Sequence, residues 1–377
     1  MPKKVNRNPG VSKRGDKWRA RAFSEGKEFS KTFSTQDEAV RWKREQERLL
    51  ERGEWVDPSL SSITFEQWSK QWISAKTNIA DSTKRGYIQL LDNHLIPEFG
   101  KQKLTSISNN QISQWVSKSV SNGVGEVILK RAHNVLRQVF NSALLDARLS
   151  RNPAIGVPLP RIKSKEQHPL TIEQLQSLAK ECGPYESLIL FAGTTGLRWG
   201  EIAALQCKDV SILNRTVFVG KGYSTGLKGE RVLSGTKTHQ NRTVPVVKEV
   251  LQDLAELIEN KSPEAHLFQM PGSGSLDYNN FRSRIFQPAV ERAGLTGATF
   301  HTLRHTTASL LISQGARITT VSGILGHAST QMTLNVYGHL YEDDATKYVD
   351  LLGDSLFNTG TDKERTNVVS VNRKVSV

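Results

Sequence analysis

Cysteine is scarce here: 377 residues contain two, Cys182 and Cys207. They lie far apart and lack the paired spacing of a zinc site, so the sequence offers neither a disulfide framework nor a metal cluster, and both read as buried structural thiols. Long apolar runs are missing too. Nothing approaches the ~18 consecutive apolar residues that cross a bilayer. The opening MPKKVNRNPG is basic with no hydrophobic segment behind it, which argues against a secretory signal and for a cytoplasmic protein with no membrane partner. No convincing internal repeat is present. Positive charge, in contrast, is in excess: 51 Lys and Arg stand against 37 Asp and Glu, a net +14 with a pI near 9.7. Such a surplus predicts a polyanionic partner, with nucleic acid first. The length exceeds the ~250 to 300 residues at which single cores stop growing, so more than one domain is expected.

Half of the surplus is local. Residues 1–35 carry ten Lys or Arg and three acids, a net of seven. Within them KWRARAF alternates, so a strand there sets Trp18, Ala20 and Ala22 on one face and Arg19 and Arg21 on the other, while KEFSKTF reads as its hairpin partner. Trp18, Phe23 and Phe33 in this period-two setting favour a folded module over a disordered basic tail. Thr35-Gln-Asp-Glu38 is a capping box that opens a helix with Ala39, Trp42, Leu49 and Leu50 on one side and Gly53 at its end. These features predict a small three-stranded sheet backed by one helix over 1–55, with 56–62 (VDPSLSS) as a linker.

Helical grammar follows. Thr64-Phe-Glu-Gln67 and Ser108-Asn-Asn-Gln111 are further capping boxes, and Leu129, Ala132, Leu136, Val139, Phe140 and Ala143 recur at three- and four-residue steps in a long helix over about 126–148. RNPAIGVPLP breaks it. The reading is a helical domain of four or five helices over 63–152, a basic, proline-containing linker over 153–166, and a larger mixed α/β domain over 167–355 opened by the capping box Thr171-Ile-Glu-Gln174. That domain has a β-rich insert in which RTVFVG and NRTVPVV flank a Gly- and Lys-rich stretch. A polar tail, 356–377, closes the chain, with NVVSV as a possible short strand. The fold class is α+β, mostly helical.

Four strings in the third domain call for a common explanation: TTGLRWGEIAAL, GTKTHQNRTVPV, HTLRHTTASLL and LGHASTQMTLNVYGHLY. Singly each is weak. In this order they resemble the tyrosine recombinase family of phage-integrase type, whose signature is an Arg, a hairpin Lys, a His-x-x-Arg, a second His and a Tyr nucleophile. The resemblance covers 168–350 by motif, and the three-part layout more loosely: an arm-type DNA-binding domain, a core-binding domain and a catalytic domain. It implies catalytic roles for Arg198, Lys237, His301, Arg304, His327 and Tyr337, with Glu201 as an orienting carboxylate. Lys237 is preferred over Lys221 and Lys228 of the same insert because of its TKTHQNRTVPV context. Tyr341 reads as a packing residue on the same helix as Tyr337, and His305, His239 and His339 as solvent or packing histidines.

These residue types suit phosphoryl chemistry. Two guanidiniums offer fixed forks to the non-bridging oxygens of a phosphodiester under attack. A phenol with a pKa near 10 is about one part in a thousand ionised at pH 7, a deficit of roughly 4 kcal/mol, so the nucleophile needs a base or cation beside it. His301 is the candidate acceptor and His327 a donor to the phosphate, though these roles stay open between them; by the resemblance Lys237 protonates the leaving 5′ oxygen. No carboxylate cluster of metal-ligand type accompanies the constellation, so no metal or other cofactor is expected. The resemblance further implies double-stranded attachment sites as substrate, a tetramer on DNA, a tail that packs on a neighbouring copy, and a host DNA-bending protein and excision factor as possible partners. Lys17, Arg19 and Arg21 of the arm and Lys130 and Arg131 of the helical domain are the expected DNA contacts. A type IB topoisomerase-like enzyme and a non-catalytic DNA-binding protein on the same fold are the alternatives.

Overall fold

In the first strands, arginines and small apolar residues sort to opposite faces. The structure is a computed structural model and describes residues 9–24, 27–53, 55–57, 62–162, 168–235, 241–272, 274–340 and 345–357. Strands β1 (Val11–Arg14), β2 (Lys17–Ser24) and β3 (Lys27–Phe33) pair antiparallel in that order, with Ala20 opposite Val11 and Trp18 opposite Phe33. Ala20 and Ala22 are buried and helix α1 (Gln36–Glu51) packs on β2 through Ala39. The Thr35–Glu38 capping box forms as expected. Phe23 follows the same alternation: it falls in register with Lys17, Arg19 and Arg21, and at 61% exposure it joins the arginine face and not the core that Trp18 and Phe33 border.

The chain divides into two compact units, residues 1–165 with 225–232, and residues 166–224 with 233–377. Beyond the sheet, the first unit is helical: α2 (Phe65–Ala75), α3 (Asp81–Leu90), α4 (Ile96–Phe99) after a π turn, α5 (Asn109–Ser121) and α6 (Glu126–Leu145). Both expected capping boxes form, at Thr64 and Ser108. Every apolar residue predicted for α6 is buried, in a core shared with Phe65, Trp68, Trp72 and Phe99. Burying each such side chain contributes about 1.5 to 3 kcal/mol before conformational entropy is subtracted.

The second unit begins with α7 (Ile172–Glu181), capped by the Thr171–Gln174 box, followed by α8 (Glu186–Thr195) and α9 (Trp199–Ala204). The insert contains β4 (Val210–Ser211), β5 (Thr216–Val219), β6 (Lys221–Thr225), β7 (Arg231–Gly235) and β8 (Arg242–Pro245). RTVFVG and NRTVPVV pair with each other, β5 against β8 with Val217 opposite Val244, in a sheet of order β4-β5-β8, while β6 and β7 form a hairpin. Helices α10 (Lys248–Ile258), α11 (Tyr278–Phe281), α12 (Gln287–Arg292), α13 (Phe300–Ser313), α14 (Ile318–Leu325), α15 (Thr330–Tyr337) and α16 (Ala345–Phe357) complete it. Cys182 and Cys207 are buried free thiols in this unit, and burial pushes the Cys182 pKa up to about 12.

Candidate active site

Two glycines let the GLRWGE string fold back on itself. Gly196 ends α8 in the left-handed region at φ 64°, where a Cβ would lie 2.6 Å from Leu325 and 3.3 Å from Thr307. Gly200 lies under β6, and a Cβ there would meet the Tyr223 carbonyl oxygen at 2.3 Å. Between them Arg198 becomes the N-cap of α9. Next to it Trp199 packs edge-on against Tyr278 and Phe300, at 5.3 and 4.7 Å between ring centres. The aromatic side chain anchors the turn, and the guanidinium is directed the other way, to Glu201.

Glu201 is 3% exposed and serves two arginines. Arg198 donates from Nη1 to Oε1 at 2.9 Å and from its backbone N–H to Oε2 at 3.0 Å. Arg242 of β8 donates to both oxygens, at 3.1 and 2.7 Å. Burial opposes ionisation of this carboxyl, but the hydrogen bonds and charge of Arg242, then those of Arg198, hold its pKa below the usual range.

The same arginines, with Arg304, close the end of α14. Arg242 Nε donates to the Ile324 carbonyl at 3.0 Å, Arg304 Nη1 to Leu325 at 2.7 Å and Arg198 Nη2 to Gly326 at 3.0 Å. A helix leaves its last carbonyls unpaired and carries partial negative charge there. Three cations occupy that end in succession, and the chain emerges directly into His327. Arg304 is 4% exposed and also reaches the Gly196 carbonyl at 2.8 Å. Among the described residues it hydrogen-bonds through Nη1 alone, which leaves Nη2 and Nε for an anion. Burial and the charge of Arg198 lower its pKa to about 9, still cationic at neutral pH. Three guanidiniums against one carboxylate leave this cluster two positive charges in excess.

His327 Nδ1 lies 2.7 Å from the Thr333 hydroxyl at the buried side of α15. Burial, then Arg304, Arg198 and Arg242, bring its pKa down to about 4, so the ring is neutral at pH 7. A neutral ring that accepts from Thr333 on Nδ1 keeps its hydrogen on Nε2 and can donate it to a phosphate. Tyr337 ends α15 and is 5% exposed, packed with Ala308, Ile312, Val321 and Leu325. Burial pushes its pKa up to about 12 against the pull of Arg304. Its hydroxyl meets His305 Nδ1 at 2.6 Å, and His305 in turn stacks edge-on with His301 at 4.7 Å.

Five of the six expected catalytic residues and Glu201 are thus in described parts of the second unit. Lys237 and His239 lie outside the described residues, as do Tyr341 and NVVSV. Of the rival lysines, Lys221 hydrogen-bonds Gln206 and pairs with Asp209 at 3.6 Å, and Lys228 is exposed. His305 takes the packing alternative, half-buried against Tyr337, because the chain returns from α14 through α15 onto the face of α13 that it shares with His301. Helix α15 stops at Tyr337 and a 3₁₀ turn follows over Gly338–Leu340. Arg242 was missed. Its strand alternation with the fully buried Val244 was the available signal, since both belong to one face of β8. In the first unit Lys17, Lys130 and Arg131 are exposed, whereas Arg19 and Arg21 are partly covered and pair with Glu28 at 3.3 and 3.8 Å.

The sequence and the fold match known proteins. Residues 168–343 match the phage integrase family, and residues 64–119 match the phage integrase N-terminal SAM-like domain. The chain is 28% identical over 315 residues to the ICEBs1 integrase of Bacillus subtilis (strain 168), a match that takes in 79% of this chain and 83% of that protein. It is 26% identical over 325 residues to the integrase of Mycobacterium phage D29, covering 81% and 84%. Among solved structures, the Tn1549 transposon integrase in complex with circular intermediate DNA superposes with a TM-score of 0.69 at 22% identity, over 77% of this chain and all of that one. A lambda integrase dimer bound to a core site gives 0.55 at 19% identity, over 95% and 98%. At these identities the structures speak for the fold. With two matched segments that together exceed half of the chain, an arginine-bound carboxylate at the end of GLRWGE and a buried tyrosine after LGH, the chain belongs to the phage integrase family of tyrosine recombinases.

Proposed function

We propose that this protein is a site-specific DNA recombinase that integrates and excises a mobile element through a 3′-phosphotyrosine intermediate. One observation carries the reading: Arg198, Arg304 and His327 meet at the end of α14, and α15, which begins five residues after Leu325, brings the buried Tyr337 hydroxyl onto His305, the neighbour of Arg304 on α13. In the mechanism the excess positive charge receives the scissile phosphate, Arg198 and Arg304 hold its non-bridging oxygens, and His327 donates from Nε2. Tyr337 attacks phosphorus, the 3′ phosphate is transferred to its Oη, and the 5′ oxygen leaves with a proton that Lys237 supplies. Because one ester replaces another, the 5′ hydroxyl of a second strand reverses the step without ATP. Removing one such donor to a developing oxyanion costs about 2.7 to 4 kcal/mol of barrier in comparable sites.

The tyrosine also sets a demand. With its pKa near 12, ionising it at pH 7 costs about 7 kcal/mol, so attack requires a proton acceptor in contact. In the same reading four copies act on two attachment sites, joined by a host DNA-bending protein and an excision factor, in the bacterial cytoplasm. The exposed Val349, Leu352 and Leu356 on α16 give a second copy an apolar face to cover. The test is a nicked duplex from one end of the element, quenched with detergent and run on a denaturing gel. Wild type leaves protein linked to DNA and Tyr337→Phe does not, while both bind the duplex. An adduct retained by Tyr337→Phe would overturn the assignment.

A further inference from the structure

We infer that His305, and not His301 one helical turn before it, takes the proton from Tyr337 as the tyrosine attacks. The inference rests on the reading of Tyr337 as nucleophile and names the base that this reading requires. The Tyr337 hydroxyl and His305 Nδ1 are 2.6 Å apart, at the short end of the range within which a general base must lie. The rings are tilted by 56° with centres 5.6 Å apart, so the hydroxyl meets the edge of the imidazole and not its face. His305 is half-buried between α13 and α15, whereas His301 is exposed and touches His305 edge-on. The groups facing His305 are Tyr337 from α15 and His301 and Arg304 from its own helix. Burial, then Arg304, lowers the pKa of His305, which keeps the ring neutral and able to accept at pH 7.

In the step itself the Oη–P bond forms as P–O5′ breaks. The Tyr337 proton passes to Nδ1 of the tautomer that carries its hydrogen on Nε2, giving an imidazolium. The leaving oxygen takes its proton from a separate acid, Lys237 in the reading above, and rejoining runs both transfers backwards. His301 is then left for the phosphate or the DNA backbone.

The experiment uses the full chain and nicked duplexes with oxygen or sulfur at the bridging 5′ position of the scissile phosphate. A thiolate leaves without a proton donor, so the sulfur substrate reports on the acceptor alone. Adduct rates are compared for wild type, His305→Asn, His301→Asn and Tyr337→Phe from about pH 5 to about pH 9. Asparagine keeps a hydrogen-bond acceptor near the Nδ1 position and takes no proton. His305→Asn is expected to be slower by about a hundredfold or more on both substrates. It also loses the fall in rate that wild type shows as its histidine protonates below about pH 6.5, with DNA affinity and thermal midpoint close to wild type. A His305→Asn rate within tenfold of wild type with an unchanged pH profile would overturn the inference. If that variant does not bind DNA, His301→Asn decides: an acidic limb retained supports His305, and its loss assigns the base to His301. Absence of any adduct in wild type, or its persistence in Tyr337→Phe, would instead sink the reading of Tyr337 itself.

Discussion

Arg242 grips both oxygens of Glu201 with one guanidinium and the Ile324 carbonyl with its third nitrogen. Both side chains are almost fully enclosed, at 10% and 4% exposure. Breaking a buried pair by removing one partner costs about 3 to 5 kcal/mol, mostly because the other charge is stranded. Arg242→Ala should therefore lower stability to denaturant by that order and slow adduct formation at least tenfold, while duplex affinity changes little. Arg242→Lys restores the charge without the fork and should recover only part of the stability. Denaturant unfolding and the adduct gel check both; an adduct rate in Arg242→Ala equal to wild type would show that Arg198 needs no such support.

Gly200 supplies a sharper steric test. A methyl there meets a backbone oxygen of β6 at 2.3 Å, and strand backbone yields less readily than a side chain end. Gly200→Ala should cost about 1 to 3 kcal/mol and displace Arg198, with adduct formation lost first. Gly235→Ala, where a Cβ meets nothing within 4 Å, is the control and should match wild type in thermal melting.

Acid should weaken the fold through its histidines. His133, His305 and His327 all have pKa values lowered below 6.5, chiefly by burial. As pH falls below about 6.5 the unfolded chain binds protons that the folded chain refuses, so the stability these neutral rings confer is whole above that pH and drains away below it. For His327 the loss continues to about pH 4. Urea midpoints should drop between pH 7 and pH 5, and His327→Asn should flatten the slope.

On the arm, Glu28 pairs with Arg19 and Arg21, so a duplex bound on this face would have to displace it. Glu28→Gln should tighten duplex binding, whereas Lys17→Ala should weaken it and reduce the salt slope by about one. Titrations at several salt concentrations separate the two effects. An unchanged slope in Lys17→Ala would remove that lysine from the contact surface.

What could be read in advance was local. The capping boxes at Thr35, Thr64, Ser108 and Thr171 join residues three apart, and each formed. The α6 core positions followed from helical spacing alone. The arginines and the tyrosine came from motif order. Arg242 and His305 were passed over because their partners lie 41 and 32 residues away in sequence, at distances where only tertiary packing decides what meets what.

The end of α14 also bears on how inactive relatives would look. Arg198, Arg242 and Arg304 are that helix's stopper, so a chain that gave up strand cleavage could not discard them without unravelling the segment that follows. Among the described residues, Tyr337 and His305 make no hydrogen bond to that helix end. With Tyr337 as the proposed nucleophile, a descendant kept only to occupy DNA would hold its arginines and let its tyrosine drift, so that intact arginines would testify to architecture and the tyrosine to activity.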